Sequence, residues 1–122
     1  MLSQIGQIAI VVHDVEKATA FYRDTLGIKF LFAVPNMAFF DCGGVRLMLS
    51  LPSDPKFDHP ASILYYKVAD IQATFDVLAS RGVRFDQDPH LVARLPDHDL
   101  WLAEFRDPDD NVLALMSEVR KG

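Results

Sequence analysis

Apolar residues recur along this 122-residue chain with two spacings. "QIAIVV" (7–12) is a run of strand length, rich in Ile and Val. Asp14 then offers a helix N-cap, and Val15, Ala18, Tyr22 and Leu26 follow at helical spacing until Gly27 supplies a stop. "KFLFA" (29–33), "MAFFD" (37–41) and "VRLMLS" (45–50) read as strands, with turns at Pro35-Asn36 and Gly43-Gly44. The second half repeats the order. "SILYYKV" (62–68) is a strand, Asp70 caps a helix bearing Ile71, Thr74 or Phe75, and Leu78 on one face, and Gly82 stops it. Strands are expected around 83–85, 91–95, 100–105 and 112–117.

The repeat is regular. Asp14 and Asp70 lie 56 residues apart, Gly27 and Gly82 lie 55 apart, and "DCGGVRLML" superposes on "DPDDNVLAL" at 66. The added length falls in the second half's hairpin. "PSDPKFDHPA" (52–61), with three prolines, reads as a linker. The chain is therefore expected to be α+β, one domain of two βαβββ modules (about 1–51 and 62–119) with helices on the outer faces. The other faces of the curved mixed sheets are expected to enclose a concave cavity, the usual kind of ligand site.

Composition narrows the function classes. The net charge is −5, and no basic run exceeds Arg120-Lys121, which argues against nucleic acid. The apolar run near the start, Ile8–Val12, is too short for a signal h-region or a membrane span. Cys42 stands alone, so no internal disulfide can form, as expected of a cytoplasmic protein. Gly43-Gly44 reads as a hairpin turn rather than a phosphate-cradling loop, and no nucleophile triad emerges.

The opening strand, "HDVEKATAFYRDTLGIKF" and the Asp107-Pro108-Asp109…Asn111 turn together resemble the vicinal oxygen chelate superfamily over essentially the whole chain. This superfamily includes glyoxalases, extradiol dioxygenases and bleomycin-resistance proteins. The resemblance implies a divalent-metal site built from one His, Gln or Glu on the first and last strand of each module. Those positions here hold Gln7, Met48, Ile63 and Ala114. Ile63 and Ala114 cannot ligate, Met48 is a soft donor, and Gln7 alone does not hold an ion. No metal or other cofactor is expected.

If Gln7 faces the cavity, strand alternation brings Ala9, Val11, Arg46, Met48, Ser50, Ile63, Tyr65, Lys67, Val112, Ala114 and Met116 with it. The opposite set, Ile8, Ile10, Leu47, Leu49, Leu64, Tyr66, Leu113 and Leu115, is almost wholly apolar and suits packing under helices. Gln7, Arg46, Met48, Ile63, Tyr65, Lys67 and Ala114 are thus the expected ligand contacts. Trp101 joins them as a possible stacking surface for a planar ligand, or else anchors its hairpin.

A turn at Pro96-Asp97 sets Leu95 opposite His98 and Arg94 opposite Asp99. His98 then belongs to an exposed turn, or with Asp97 and Asp99 to a metal cluster. The leading expectation is a metal-free, glyoxalase/bleomycin-resistance-like protein that binds a small, partly apolar molecule and, by the resemblance, forms a homodimer. The alternative is a lyase, isomerase or dioxygenase with relocated chemistry, for which His90, His98 and Glu104 are the catalytic candidates. A pure interaction module with a filled cavity is a third reading.

Overall fold

The structure, a computed structural model, describes residues 1–121. The chain divides into two compact units, Met1–Ala61 and the remainder from Ser62. Both are α+β, and each is built on one curved mixed sheet.

The first unit runs β1 (Gln7–Val11), α1 (Val15–Ala20), β2 (Lys29–Val34), β3 (Met37–Cys42) and β4 (Val45–Ser50). Its sheet order is β1-β4-β3-β2. First and last strands pair in parallel, and the others pair antiparallel. Asp14 caps α1 by accepting a hydrogen bond from the Lys17 amide (3.0 Å). The expected single helix through Leu26 is instead α1 followed by a π-helical turn, Phe21–Thr25, in which the Leu26 amide donates to the Phe21 carbonyl (2.9 Å). That turn directs Tyr22 inward, fully buried, with its ring 6.1 Å from Phe40. Gly43 and Gly44 both have positive φ (61° and 88°), the pair of values that a two-residue β-hairpin turn needs.

The second unit runs β5 (Leu64–Lys67), α2 (Ile71–Ser80), β6 (Arg84–Phe85), β7 (His90–Arg94), β8 (His98–Arg106) and β9 (Val112–Arg120). Asp70 caps α2 through the Ala73 amide (3.0 Å). The main sheet order is β5-β9-β8-β6, with β7 also on β8. The four strands expected after the second helix are all present. The outer strand of this βαβββ module is made in two pieces, β6 and β7. β6 takes the Phe105 end of β8, and β7 takes the Leu100–Leu102 end. The break falls at "DQDP" (86–89), where proline cannot donate to a ladder.

Alternation sorts the strands into two faces. Ile10, Leu47, Leu49, Phe40, Leu113, Leu115, Ala103 and Phe105 are buried on the helix side. Phe75, Phe85 and Phe105 form a chain of ring contacts between α2 and its sheet (4.5 and 5.3 Å). The Asp107 turn is also internally bonded. Asp107 is wholly buried, and its carboxylate accepts from the Asp109 amide, the Asn111 amide and the Asn111 side chain, each at 2.9 Å.

Replacing that carboxylate removes the acceptor of three hydrogen bonds in a half-buried turn. Asp107→Ala is expected to lower unfolding free energy by about 2–4 kcal/mol, read as a reduced urea midpoint at unchanged slope. A loss below about 0.5 kcal/mol would refute this role for the turn.

Candidate functional site

On the helix-free face of the first sheet, register arranges side chains in three rows. Gln7, Arg46, Asp41 and Lys29 form the first, and Ala9, Met48, Phe39 and Phe32 the second. Val11, Ser50, Met37 and Val34 form the third. Arg46 Nε donates to Gln7 Oε1 (2.9 Å), and its guanidinium lies 5.6 Å from the centre of the Phe39 ring. Phe39 stacks on Phe32 at 4.7 Å with an interplanar angle of 26°. The Gln7 amide nitrogen points to Met48 Sδ (3.6 Å), a weak contact.

Toward the third row the face opens into a cavity of about 290 Å³. Ala9, Val11, Met48 and Ser50 line its sheet side, and Phe57 and His59 of the linker line the other. The linker is not featureless. Pro55–Phe57 form a 3₁₀ turn capped by Asp54, whose carboxylate accepts from the Lys56 amide (2.9 Å). His59, given no role by sequence, therefore lies beside the same cavity as Met48. A larger groove of about 600 Å³ lies beside the start of α1 and the β2–β3 hairpin. Two of its lining groups are already paired, His13 with Asp58 at 3.0 Å and Arg23 with Asp24 at 2.8 Å.

On the helix-free face of the second sheet, Tyr65, Ala114 and Glu104 form one row, and Lys67, Met116, Leu102 and His90 the next. Tyr65 is half-exposed, Ile63 lies just before β5 and is 44% exposed, and Ala114 is wholly buried. The cross-strand register pairs Arg94 with Asp99 (side chains 3.5 Å apart), as a Pro96-Asp97 turn requires. His90 and Glu104 approach to 3.9 Å. His90 Nδ1 lies 3.1 Å from the Asp88 carbonyl oxygen, an acceptor, so Nδ1 carries the proton and Nε2 is left to accept from Gln87 Nε2 (3.3 Å). The break between β6 and β7 supplies Gln87 and Asp88 to this cluster.

Trp101 is on the other face. It lines a groove of about 440 Å³ with Asp70, Ile71 and Gln72 at the start of α2. It does not share a face with Tyr65 and Glu104, and it lies on the helix side of its sheet.

His98 corrects the exposed-turn expectation, with a side chain only 17% exposed. Its Nδ1 meets Asp97 (2.8 Å) and its Nε2 meets Glu118 (3.2 Å), which in turn holds Lys67 (2.7 Å). The hydrogen bond from Lys67, followed by its charge, lowers the Glu118 carboxyl below its usual range, and the hydrogen bond to His98 lowers Asp97. Glu118 escaped the sequence reading because β9 was expected to end near Ser117 and runs on to Arg120. Burial, then the nearby charge of Asp41, pushes the Cys42 thiol up, so it is not an activated nucleophile.

The donor set does not fit the family's metal. The oxygen of Gln7 is already engaged by Arg46, and Met48, Ile63 and Ala114 supply no hard donor. Among the described residues no group of three or more His, Cys, Asp or Glu side chains could hold an ion. His98, Asp97 and Asp99 do not form one, and no helix among the described residues is long and apolar enough to cross a membrane.

Comparison with known proteins agrees with this architecture. A Bacillus subtilis (strain 168) protein, "Uncharacterized protein YraH", is 29% identical over 126 residues, covering 89% of this chain and 94% of that one. A solved structure from Sphaerobacter thermophilus DSM 20745, a member of the glyoxalase/bleomycin resistance protein/dioxygenase superfamily, aligns with a TM-score of 0.78. It is 27% identical and covers 96% of this chain and 98% of its own. A lactoylglutathione lyase from Agrobacterium tumefaciens shares the fold at a TM-score of 0.74 and 22% identity, covering 94% and 93%. The family model described as Glyoxalase/Bleomycin resistance protein/Dioxygenase superfamily matches residues 4–115, and the chain belongs to that superfamily.

Proposed function

We propose that this protein is a metal-free binder of a small, partly apolar molecule, held on the helix-free face around Gln7, Arg46 and Met48. The observation that carries the reading is the state of Gln7. The one family ligand position with a hard donor has that donor turned to Arg46, beside a cavity floored by Ala9, Val11 and Met48. Such a mostly apolar space with a few fixed polar groups is the usual make-up of a ligand site. Action in the cytoplasm and as a homodimer, both expected from sequence, belong to the same proposal.

A second reading rests on His90 and Glu104, which share the helix-free face of the second sheet and lie 3.9 Å apart. In a lyase or isomerase, Glu104 would take a proton from a carbon acid, and His90, with its Nδ1–H fixed on Asp88, would relay a proton at Nε2. Tyr65, beyond the small Ala114 in the same row, would offer its hydroxyl to a substrate oxygen.

Three measurements test these readings. Incubation with zinc, nickel, manganese and ferrous iron, then desalting and elemental analysis, should leave well under one ion per chain and no rise in melting temperature. A stoichiometric ion lost in Gln7→Ala would overturn the metal-free reading. Glu104→Gln and His90→Asn should leave small-molecule binding to the first sheet unchanged. Formation of S-lactoylglutathione from glutathione and its 2-oxoaldehyde by the wild type, falling at least a hundredfold in Glu104→Gln, would establish the second reading in its place.

A further inference from the structure

Resting on the small-molecule reading above, we infer that the ligand is a flat monoanion, a carboxylate on an aromatic or similarly planar apolar body, and that Arg46 contacts its charge. Three independent features of the first sheet converge on that chemistry.

The first is an unmatched cation. Arg46 forms no ion pair with any described carboxylate, although Asp41 is its neighbour in the ladder. Its side-chain hydrogen bond uses Nε, donated to the neutral amide oxygen of Gln7. The two Nη groups are left to face a two-oxygen anion, the geometry in which a guanidinium is most selective. Gln7 and Phe39 hold the guanidinium plane from two sides, so little side-chain freedom is lost on binding.

The second is a flat shelf. Phe39 and Phe32 lie nearly parallel in the row next to Arg46, and Phe32 is 46% exposed. An exposed, stacked aromatic pair beside a fixed cation suits a ring that carries its charge at one end.

The third is length and direction. Along β4, Arg46, Met48 and Ser50 all point to this face. Four residues of strand span about 13 Å, enough for a carboxylate at Arg46 and a two-ring body over Met48 reaching the cavity. Ser50 and His59 line that cavity and provide polar contacts for the far end.

The test uses the intact chain and two probes of one shape, 2-naphthoate and neutral 2-naphthamide. Titrations are followed by amide chemical shifts. We expect 2-naphthoate to bind at least tenfold more tightly than the amide, with shifts concentrated on β3, β4 and the linker. Arg46→Gln should weaken 2-naphthoate at least tenfold and leave the amide unchanged. Arg46→Lys, which keeps the charge without the fork, should fall between. Phe39→Ala should weaken both probes. Arg46 is exposed, so its variants are expected to fold, and amide spectra report this directly. Equal binding of acid and amide, or 2-naphthoate indifferent to Arg46→Gln, overturns the anion assignment and leaves the small-molecule reading standing. Failure of both probes to shift any residue of the first sheet counts against both.

Discussion

The structure depends on one pairing made twice. In each unit the first strand lies parallel to the last, β1 on β4 and β5 on β9. A parallel pair cannot be joined by a tight turn, so everything between must travel out and back. The helix makes the outward crossing, and antiparallel hairpins bring the chain home. The pairing also places β4 and β9 in the middle of their sheets, with neighbours on both edges. That is why "VLALM" shows so little alternation. Leu113, Ala114 and Leu115 are all buried, so both faces of β9 are apolar for different reasons.

The same pairing sets Gln7 beside Arg46 and Tyr65 beside Ala114. The side chains that flank these two positions are therefore their lateral neighbours in the ladder. In the first unit the neighbour is a guanidinium that engages the remaining amide. In the second it is Glu104, one strand further over from Ala114, with His90 at its shoulder. The two sheets differ in character, one bearing aromatic and cationic surface and the other an acid beside an imidazole.

Much of this was legible in sequence because it is local. Asp14 and Asp70 cap helices through their own first turns, and Pro96-Asp97 fixes the Arg94–Asp99 pair. The alternation that separates Ile10 and Leu47 from Gln7 and Arg46 needs only period two. What was not legible depends on register between distant segments. Nothing in "MAFFD" says that Phe39 will meet Arg46 and Phe32, nor that His59 will line a cavity with Met48. His98 was misjudged because its partner Glu118 arrives from a strand that outlasts its apolar pattern. Trp101 was ambiguous because "DLWLAEF" is apolar on both sides, and only the ladder assigns its face.

The two hairpin turns differ by a single residue, Gly43-Gly44 in one unit and Pro108-Asp109-Asp110 in the other. Past the turn, Met48 corresponds to Ala114 at an interval of 66, but before it the ladder matches Phe39 to Glu104 at 65. A residue-by-residue alignment of the halves would instead equate Phe39 with Phe105, two phenylalanines on opposite faces. The likeness is coincidental and the true counterpart is a carboxylate. A duplicated fold can thus look more symmetrical on paper than in space, and its history is better traced through hydrogen-bond partners than through letters.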